Sequence, residues 1–172
     1  MPSDDPPGMI DDPAGAFHRL VGALDYPMFI ATAAARGRRA GCLVGFATQA
    51  SIEPPRMLVL ISKGNRTSKV ADDADALALH FLDRADRNLA SLFGEETGDE
   101  VDKFAHCDWH EGPGSVPILE RVAGWVAGPV LARHDLGDHV AHPIEVGEAA
   151  CARPGHQLGF QHLRGTSPGH PA

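Results

Sequence analysis

The chain is short of positive charge. It carries 15 lysines and arginines against 23 acidic residues, a formal net charge of −8. That balance disfavours nucleic acid as a partner, because its phosphates would be repelled. Cysteine is scarce as well. Cys42, Cys107 and Cys151 are odd in number, far apart and form no C-x-x-C pair. No disulfide framework is expected, and a reducing cytoplasm is the default compartment. No run approaches the roughly 18 uninterrupted apolar residues of a membrane-spanning helix, so no membrane span is expected. The opening MPSDDPPGMIDDPAG has neither the basic nor the apolar region of a signal peptide. The glycosylation sequon Asn65-Arg66-Thr67 is idle without secretion. There is no internal repeat, heptad seam or low-complexity tract.

What is present fits one domain. At 172 residues the chain is long enough to bury a core without staples. Residues 1–12, acidic and rich in proline, are expected to be a disordered tail, 13–165 the folded domain and 166–172 a second tail. Asp12-Pro13 predicts a helix start, with Asp12 as N-cap and Pro13 in the first turn. Phe17, Leu20, Val21 and Leu24 then make an apolar face. Tyr26–Ala33 reads as a first strand. Arg36-Gly37-Arg38-Arg39 follows as a basic turn, either a solvated hairpin tip or a phosphate contact. Further on, Ala76–Leu82 reads as a strand with His80 as a paired strand histidine. Asp83–Phe93 reads as a helix with Asp86 as cap. Val122–Leu131 reads as a strand anchored in the core by Trp125. A last long strand opens at Gly137-Asp138-His139, and His142-Pro143 is expected to kink it or mark a sheet edge.

The most informative stretch is Gly41–Ser68. Cys42–Phe46 is an apolar run of strand length, and Ala47–Ser51 is small and polar. Pro54-Pro55 removes two backbone donors and stops sheet pairing there. Arg56–Ser62 reads as a buried strand, and Lys63–Ser68 is a donor-rich turn opening a helix. Two donor-rich connections beside two buried strands suit a polar, anionic, planar ligand. Ordinary loop chemistry is the alternative reading of the same residues.

The order of residues decides between them. Gly41, Thr48, Ser51, Glu53, Pro54 and Pro55, an apolar strand, then Asn65, Thr67 and Ser68 resemble the flavin reductase-like family of FMN-binding split barrels. Asp102-Lys103-Phe104, Val116-Pro117-Ile118-Leu119 and Gly137-Asp138-His139 resemble further motifs of that family, and the resemblance spans roughly residues 25–165. It implies a mainly β fold, a six-stranded antiparallel split barrel with short helices. It implies a homodimer and NAD(P)H-dependent reduction of FMN, with FAD possible, in support of a partner monooxygenase. Flavin reduction by direct hydride transfer needs little acid–base machinery from the protein. What the resemblance assigns is therefore mostly binding. Asn65, Thr67 and Ser68, with Lys63 as a weaker candidate, take the phosphate. Thr48, Gln49, Ala50 and Ser51 face the ring edge, and Phe104 lies near the flavin. His139 lines the open ring face, hydrogen-bonds the substrate or protonates reduced flavin; an ordinary strand-start histidine is the other reading. Relatives often have hydroxyl or amide side chains where this chain has Leu43 and Gly45, which predicts weaker side-chain contact to the flavin. A flavin-binding electron carrier or sensor without turnover is the alternative function.

Competing motifs fail on context. Gly112–Pro117 starts like a dinucleotide-binding G-x-G-x-x-G, but Pro117 replaces the last glycine and two prolines spoil the helix start. Gly165–Gly169 matches G-x-S-x-G without the strand and helix of a nucleophile elbow. His106 and His110, with His134, Asp138, His139 and His142, form two clusters that suggest zinc or iron. No spacing among the ten histidines matches a known metal signature, and no metal is predicted.

Overall fold

The computed structural model describes residues 12–165 together with 167 and 169. Apart from Asp12, the expected N-terminal tail lies outside the described residues, as does most of the expected tail 166–172. Asp12 caps helix α1 (Pro13–Gly22), its side chain accepting from the Gly15 N–H at 3.1 Å with Pro13 in the first turn. The helix buries none of its residues, and Phe17, Leu20 and Leu24 are all more than half exposed.

Two antiparallel sheets make the body. One has the order β11-β8-β5-β1-β2, from Glu148–Cys151, Gly124–Pro129, Ala76–Phe81, Phe29–Ala35 and Arg38–Val44. The other runs β3-β4-β10-β9, from Ala47–Ser51, Arg56–Ser62, His139–Glu145 and His134–Asp135. The short pair β6 (Trp109–Glu111) and β7 (Pro117–Leu119) stands apart. Among the described residues there are thus eleven strands, of which six, β1, β2, β4, β5, β8 and β10, have six or seven residues. A single bridge, Val130 to Ile144, links the two sheets. The architecture is mainly β and antiparallel, as the resemblance implies.

Strand β1 explains the layering. Phe29, Ile30, Ala31, Thr32 and Ala33 are all buried, so the strand is covered on both faces. Phe29, Ala31 and Ala33 enter a core with Val59, Ile61, Leu77 and Ile144, capped by Val70 and Ala71 of α2 (Arg66–Ala71). Ile30 enters a second core with Ala90 and Phe93 of α3 (Arg87–Glu95), Phe104 and Leu158. Small side chains let helices approach each face closely. Gly41 shows how tight this is: a Cβ there would lie 2.7 Å from the Phe93 ring. Phe93 is 1% exposed, and its loss to alanine would cost roughly 3–5 kcal/mol.

Several expectations change. Ala47–Ser51, read as a polar connection, is strand β3, pairing with β4 across a bulge between Gln49 and Ser51. It lies at a sheet edge with most side chains exposed, so apolar patterning is not required of it. Asp86 holds the N-cap position of α3 as expected, but its side chain makes no capping bond to that helix. Asp83 caps a short turn at Arg84–Asp86, and the Asp86 carboxylate accepts from the Asp83 N–H at 2.9 Å. Trp125 is only partly buried. β10 is neither kinked at His142-Pro143 nor an edge strand, because it pairs with β4 unbroken from His139 to Glu145 and with β9 on its other side. His80 is the paired strand histidine expected. Its Nδ1 is 3.0 Å from the Ile30 carbonyl, and Nε2 accepts from the Leu119 N–H at 2.9 Å.

Candidate functional site

β1 and β2 join through a two-residue turn, Arg36-Gly37, with φ of 51° and 73°. Positive φ at both positions is the turn geometry whose twist matches flanking strands. Gly37 adopts it freely, whereas Arg36 does so under strain. Arg36 and Arg38 reach the same carboxylate, Asp73, at 3.0 and 3.5 Å. Arg39 points to the other face of β2. Its guanidinium lies 5.5 Å from the Phe104 ring centre, 5.0 Å from that of Trp109 and 3.1 Å from the Asp102 carboxylate. The basic tip is therefore ion-paired while its Arg36 and Arg38 side chains stay half or more exposed.

Beside this hairpin opens a cavity of about 390 Å³. Its walls are the hairpin, the start of α2 and the segment 98–104, so the lining includes Asn65, Thr67, Phe104 and the cations Arg38, Arg39, Arg66 and Lys103. Asn65 is the N-cap of α2, its side-chain oxygen accepting from the Thr67 N–H at 3.1 Å. The Thr67 hydroxyl pairs with the buried Cys42 thiol, and burial pushes that thiol up to about 11, so it stays protonated. Lys103 is 4% exposed and donates to the carbonyls of Phe93 and Gly41 at 3.0 and 3.3 Å. Burial lowers its pKa, with the nearby Cys42 acting the other way. Arg66 donates to the Gly98 carbonyl, and its guanidinium is 3.9 Å from Asp99. Four cations with an amide, set against carboxylates on one wall, suit a small anion such as a phosphate. The cavity volume is at the lower end of the roughly 300–1,000 Å³ usual for ligand sites.

A second cluster surrounds His139, the first residue of β10. Its Nδ1 is 2.6 Å from the Asp138 carboxylate, a contact that holds the Asp138 pKa down. Strand neighbours face opposite ways, but Asp138 precedes the strand and follows Gly137 at φ 110°, which turns its side chain back to the imidazole. With a proton on Nδ1, Nε2 is left to face a ligand. Aromatic rings continue from there: Phe46 lies 5.1 Å from His139, Tyr26 5.8 Å from Phe46 and Phe160 6.3 Å from Tyr26. Phe46 is 48% exposed, an unusual position for a large ring in solvent.

The predicted site residues fall into four places. Asn65, Thr67 and Phe104 line the cationic cavity. Ser68 is buried on α2 and does not line it. Lys63 stands with the His139 cluster: its amine is 2.7 Å from both Asp135 oxygens and its N–H donates to the Asp138 carbonyl. That pairing depresses the Asp135 pKa. Thr48, Gln49, Ala50 and Ser51 lie on β3, whose outer edge leaves alternate backbone donors unpaired within the sheet. Leu43 is half-buried and Gly45 packs against Met28. Sequence reasoning missed Arg38, Arg39, Arg66 and Lys103 as one group. The signals were the arginine run and the Asp102-Lys103-Phe104 motif. The histidine clusters do not converge: His110 pairs with Glu120 at 3.3 Å and His142 is buried. Among the described residues no three histidine, cysteine or acidic side chains are grouped to hold a metal.

Comparison with known proteins gives the same architecture. The reductase subunit of a stachydrine N-demethylase from Rhizobium meliloti is 27% identical over 151 residues, covering 87% of this chain and 63% of that protein. HsaB, the reductase subunit of a flavin-dependent monooxygenase from Mycobacterium tuberculosis, is 31% identical over 100 residues, covering 56% of this chain and 52% of that protein. The chain thus spans about half to two thirds of the length of these curated relatives. Among solved structures, a flavin reductase domain protein from an Arthrobacter species superposes with a TM-score of 0.79 at 22% identity, covering 92% of this chain and 96% of that one. A family model described as the flavin reductase like domain matches residues 21–165, most of the chain and all of both sheets, and this protein belongs to that family.

Proposed function

We propose that this protein is an NAD(P)H-dependent flavin reductase that takes FMN and passes reduced flavin to a separate monooxygenase. The observation that carries the reading is the cationic cavity, placed where the family motifs Asn65-Arg66-Thr67 and Asp102-Lys103-Phe104 meet. Relatives support it: one is an FMN reductase (NADH) from Methylorubrum extorquens, and two others are reductase subunits named above. A fold neighbour, the flavin reductase HpaC, was solved with NADP+ at a TM-score of 0.75 and 19% identity, a likeness of fold.

FMN supplies the ring that accepts hydride; the protein binds, orients and excludes water. Arg38, Arg39, Arg66 and Lys103 hold the phosphate, with the Asn65 amide beside them. The unpaired backbone donors of β3 at Thr48–Ser51 meet the polar edge of the ring. His139 turns Nε2 toward the open face, where it accepts from the N–H of the nicotinamide carboxamide, and Asp138 fixes that tautomer. Asp99 and Asp102 hold Arg66 and Arg39 until an anion takes their place.

The exposed apolar side chains Phe17 and Leu20 of α1, Leu24 just after it, and the open edge of β3 suit burial against a second copy, in a two-fold homodimer. Light scattering gives the mass; a monomer at micromolar concentration refutes the dimer. The fold holds no helix long and apolar enough to cross a membrane among the described residues. The test of function is NADH or NADPH oxidation, followed at 340 nm, that depends on added FMN. A second reading rests on Leu43 and Gly45, which offer the flavin no side-chain hydrogen bond. Stoichiometric FMN binding without NAD(P)H consumption would favour this carrier or sensor.

A further inference from the structure

The turn that leads into His139 is held from outside by one lysine. Residues 136–138 connect β9 to β10, and Ser62 at the end of β4 pairs with His139, so Lys63 stands across from Asp138. The Lys63 amine donates to both Asp135 oxygens at 2.7 Å, and the Lys63 N–H donates to the Asp138 carbonyl at 2.9 Å. The same Asp135 carboxylate accepts from the Gly137 N–H at 3.0 Å, and the Leu136 N–H donates to the His139 carbonyl at 3.0 Å. We propose that Lys63 and Asp135 are positioning residues, clamping this turn so that Asp138 stays on His139 Nδ1 and Nε2 stays turned to the nicotinamide. This role rests on the flavin reductase reading and takes Lys63 away from the phosphate.

Asp138 needs the clamp because its side chain is 77% exposed, whereas that of His139 is 17% exposed. A pair with one partner so far in solvent is weakened by the rotamer freedom it gives up. Fixing the backbone beforehand lowers that cost. Gly137, at φ 110°, gives the turn a shape that glycine adopts freely, and Asp135 ties it down through the Gly137 N–H. Lys63 also acts through its charge. The hydrogen bond from His139 is the main cause that keeps the Asp138 carboxyl low, and the Lys63 ammonium adds to it. The Lys63–Asp135 pair is itself exposed, so it contributes little to overall stability and its effect is local. Lys63 also stands two residues before Asn65, the cap of α2 at the cationic cavity. The Asn65 N–H closes this turn onto the Ser62 carbonyl at 3.0 Å, so one short segment sets the spacing between the phosphate contacts and His139.

The test compares the full chain with Lys63→Met, Lys63→Arg and Asp135→Asn. The backbone bond from Lys63 to Asp138 survives in all three, so the substitutions alter only the clasp between amine and carboxylate. Long-range proton–nitrogen NMR spectra of the His139 ring in flavin-free protein read the tautomer. The wild type should carry the proton on Nδ1, and Lys63→Met and Asp135→Asn should show a mixture of both tautomers. In turnover these two variants should raise the KM for NAD(P)H roughly fivefold, about the worth of one hydrogen bond, with kcat and the Kd for FMN unchanged. Lys63→Arg keeps a cation on Asp135 and should restore both readouts. Melting temperatures should stay within roughly 2 °C of the wild type. An unchanged tautomer in Lys63→Met and Asp135→Asn, or an unchanged KM in the active enzyme, overturns the proposal. A Kd for FMN that rises in Lys63→Met also overturns it and returns Lys63 to the phosphate. If the wild type neither binds FMN nor oxidises NAD(P)H, the flavin reading fails, and the ring spectra of the flavin-free protein still decide whether Lys63 and Asp135 hold the tautomer.

Discussion

Acidification from pH 7 to about 4.5 should weaken the fold through His80. The imidazole is fully buried and ties three strands together, with β5 carrying it, Ile30 of β1 accepting at Nδ1 and Leu119 of β7 donating to Nε2. Both bonds require the neutral ring with its proton on Nδ1. Burial lowers its pKa from 6.5 to about 4. The unfolded chain therefore takes up a proton near pH 6.5 that the folded chain refuses until about pH 4. Stability from this group is complete above pH 6.5 and declines as pH falls through that interval, by about 3 kcal/mol in all. That is a large part of the roughly 5–15 kcal/mol of a typical domain. His142, buried on β10 with its pKa also lowered by desolvation, adds in the same direction. Urea titrations at pH 7.5, 6 and 4.5 read the slope, and His80→Phe should flatten it while lowering stability at neutral pH. An NMR titration of the ring assigns the effect. A His80 resonance that titrates near 6.5, or a pH slope unchanged in His80→Phe, would refute the reasoning.

Three further outcomes follow from single contacts. Asn65→Ala removes the cap of α2 and an amide of the cationic cavity; it should cost about 1 kcal/mol, lower Tm by roughly 2–4 °C and weaken FMN binding, seen by thermal melts and fluorescence quenching. Asp138→Asn releases the His139 tautomer; it should reduce kcat/KM for NAD(P)H by roughly tenfold, with the Kd for FMN unchanged in direct titration. Gly128→Ala puts a Cβ against the Glu145 carbonyl and 2.9 Å from the Gly147 nitrogen, both backbone atoms that cannot step aside, so circular dichroism should show an unfolded or sharply destabilised protein.

What could be read from the sequence was what local chemistry encodes. Asp12-Pro13 announces the start of α1, and the apolar run in Arg56–Ser62 announces β4, which buries only every second residue. Thr48–Ser51 gave no such signal, because an edge strand held by backbone pairing needs no apolar face. Asp83 and Asp86 sit in one capping arrangement, and sequence alone did not say which carboxylate serves as cap. The cationic cavity was the hardest to foresee. Its cations come from positions 38–39, 66 and 103, and only the sheet order and the α2 crossing bring them to one place. Strand alternation alone would turn Asp138 away from His139, and the turn at Gly137 brings the two side chains together.

The most direct measurement is an anaerobic titration of FMN into the protein, followed by NADH or NADPH, with absorbance read near 450 nm and 340 nm. The account predicts that Arg66→Ala and Lys103→Met weaken FMN binding, and that the wild-type protein bleaches bound and added FMN as NAD(P)H is consumed. Unchanged FMN affinity in both variants, or a flavin band that stays intact while NAD(P)H is not oxidised, would contradict it.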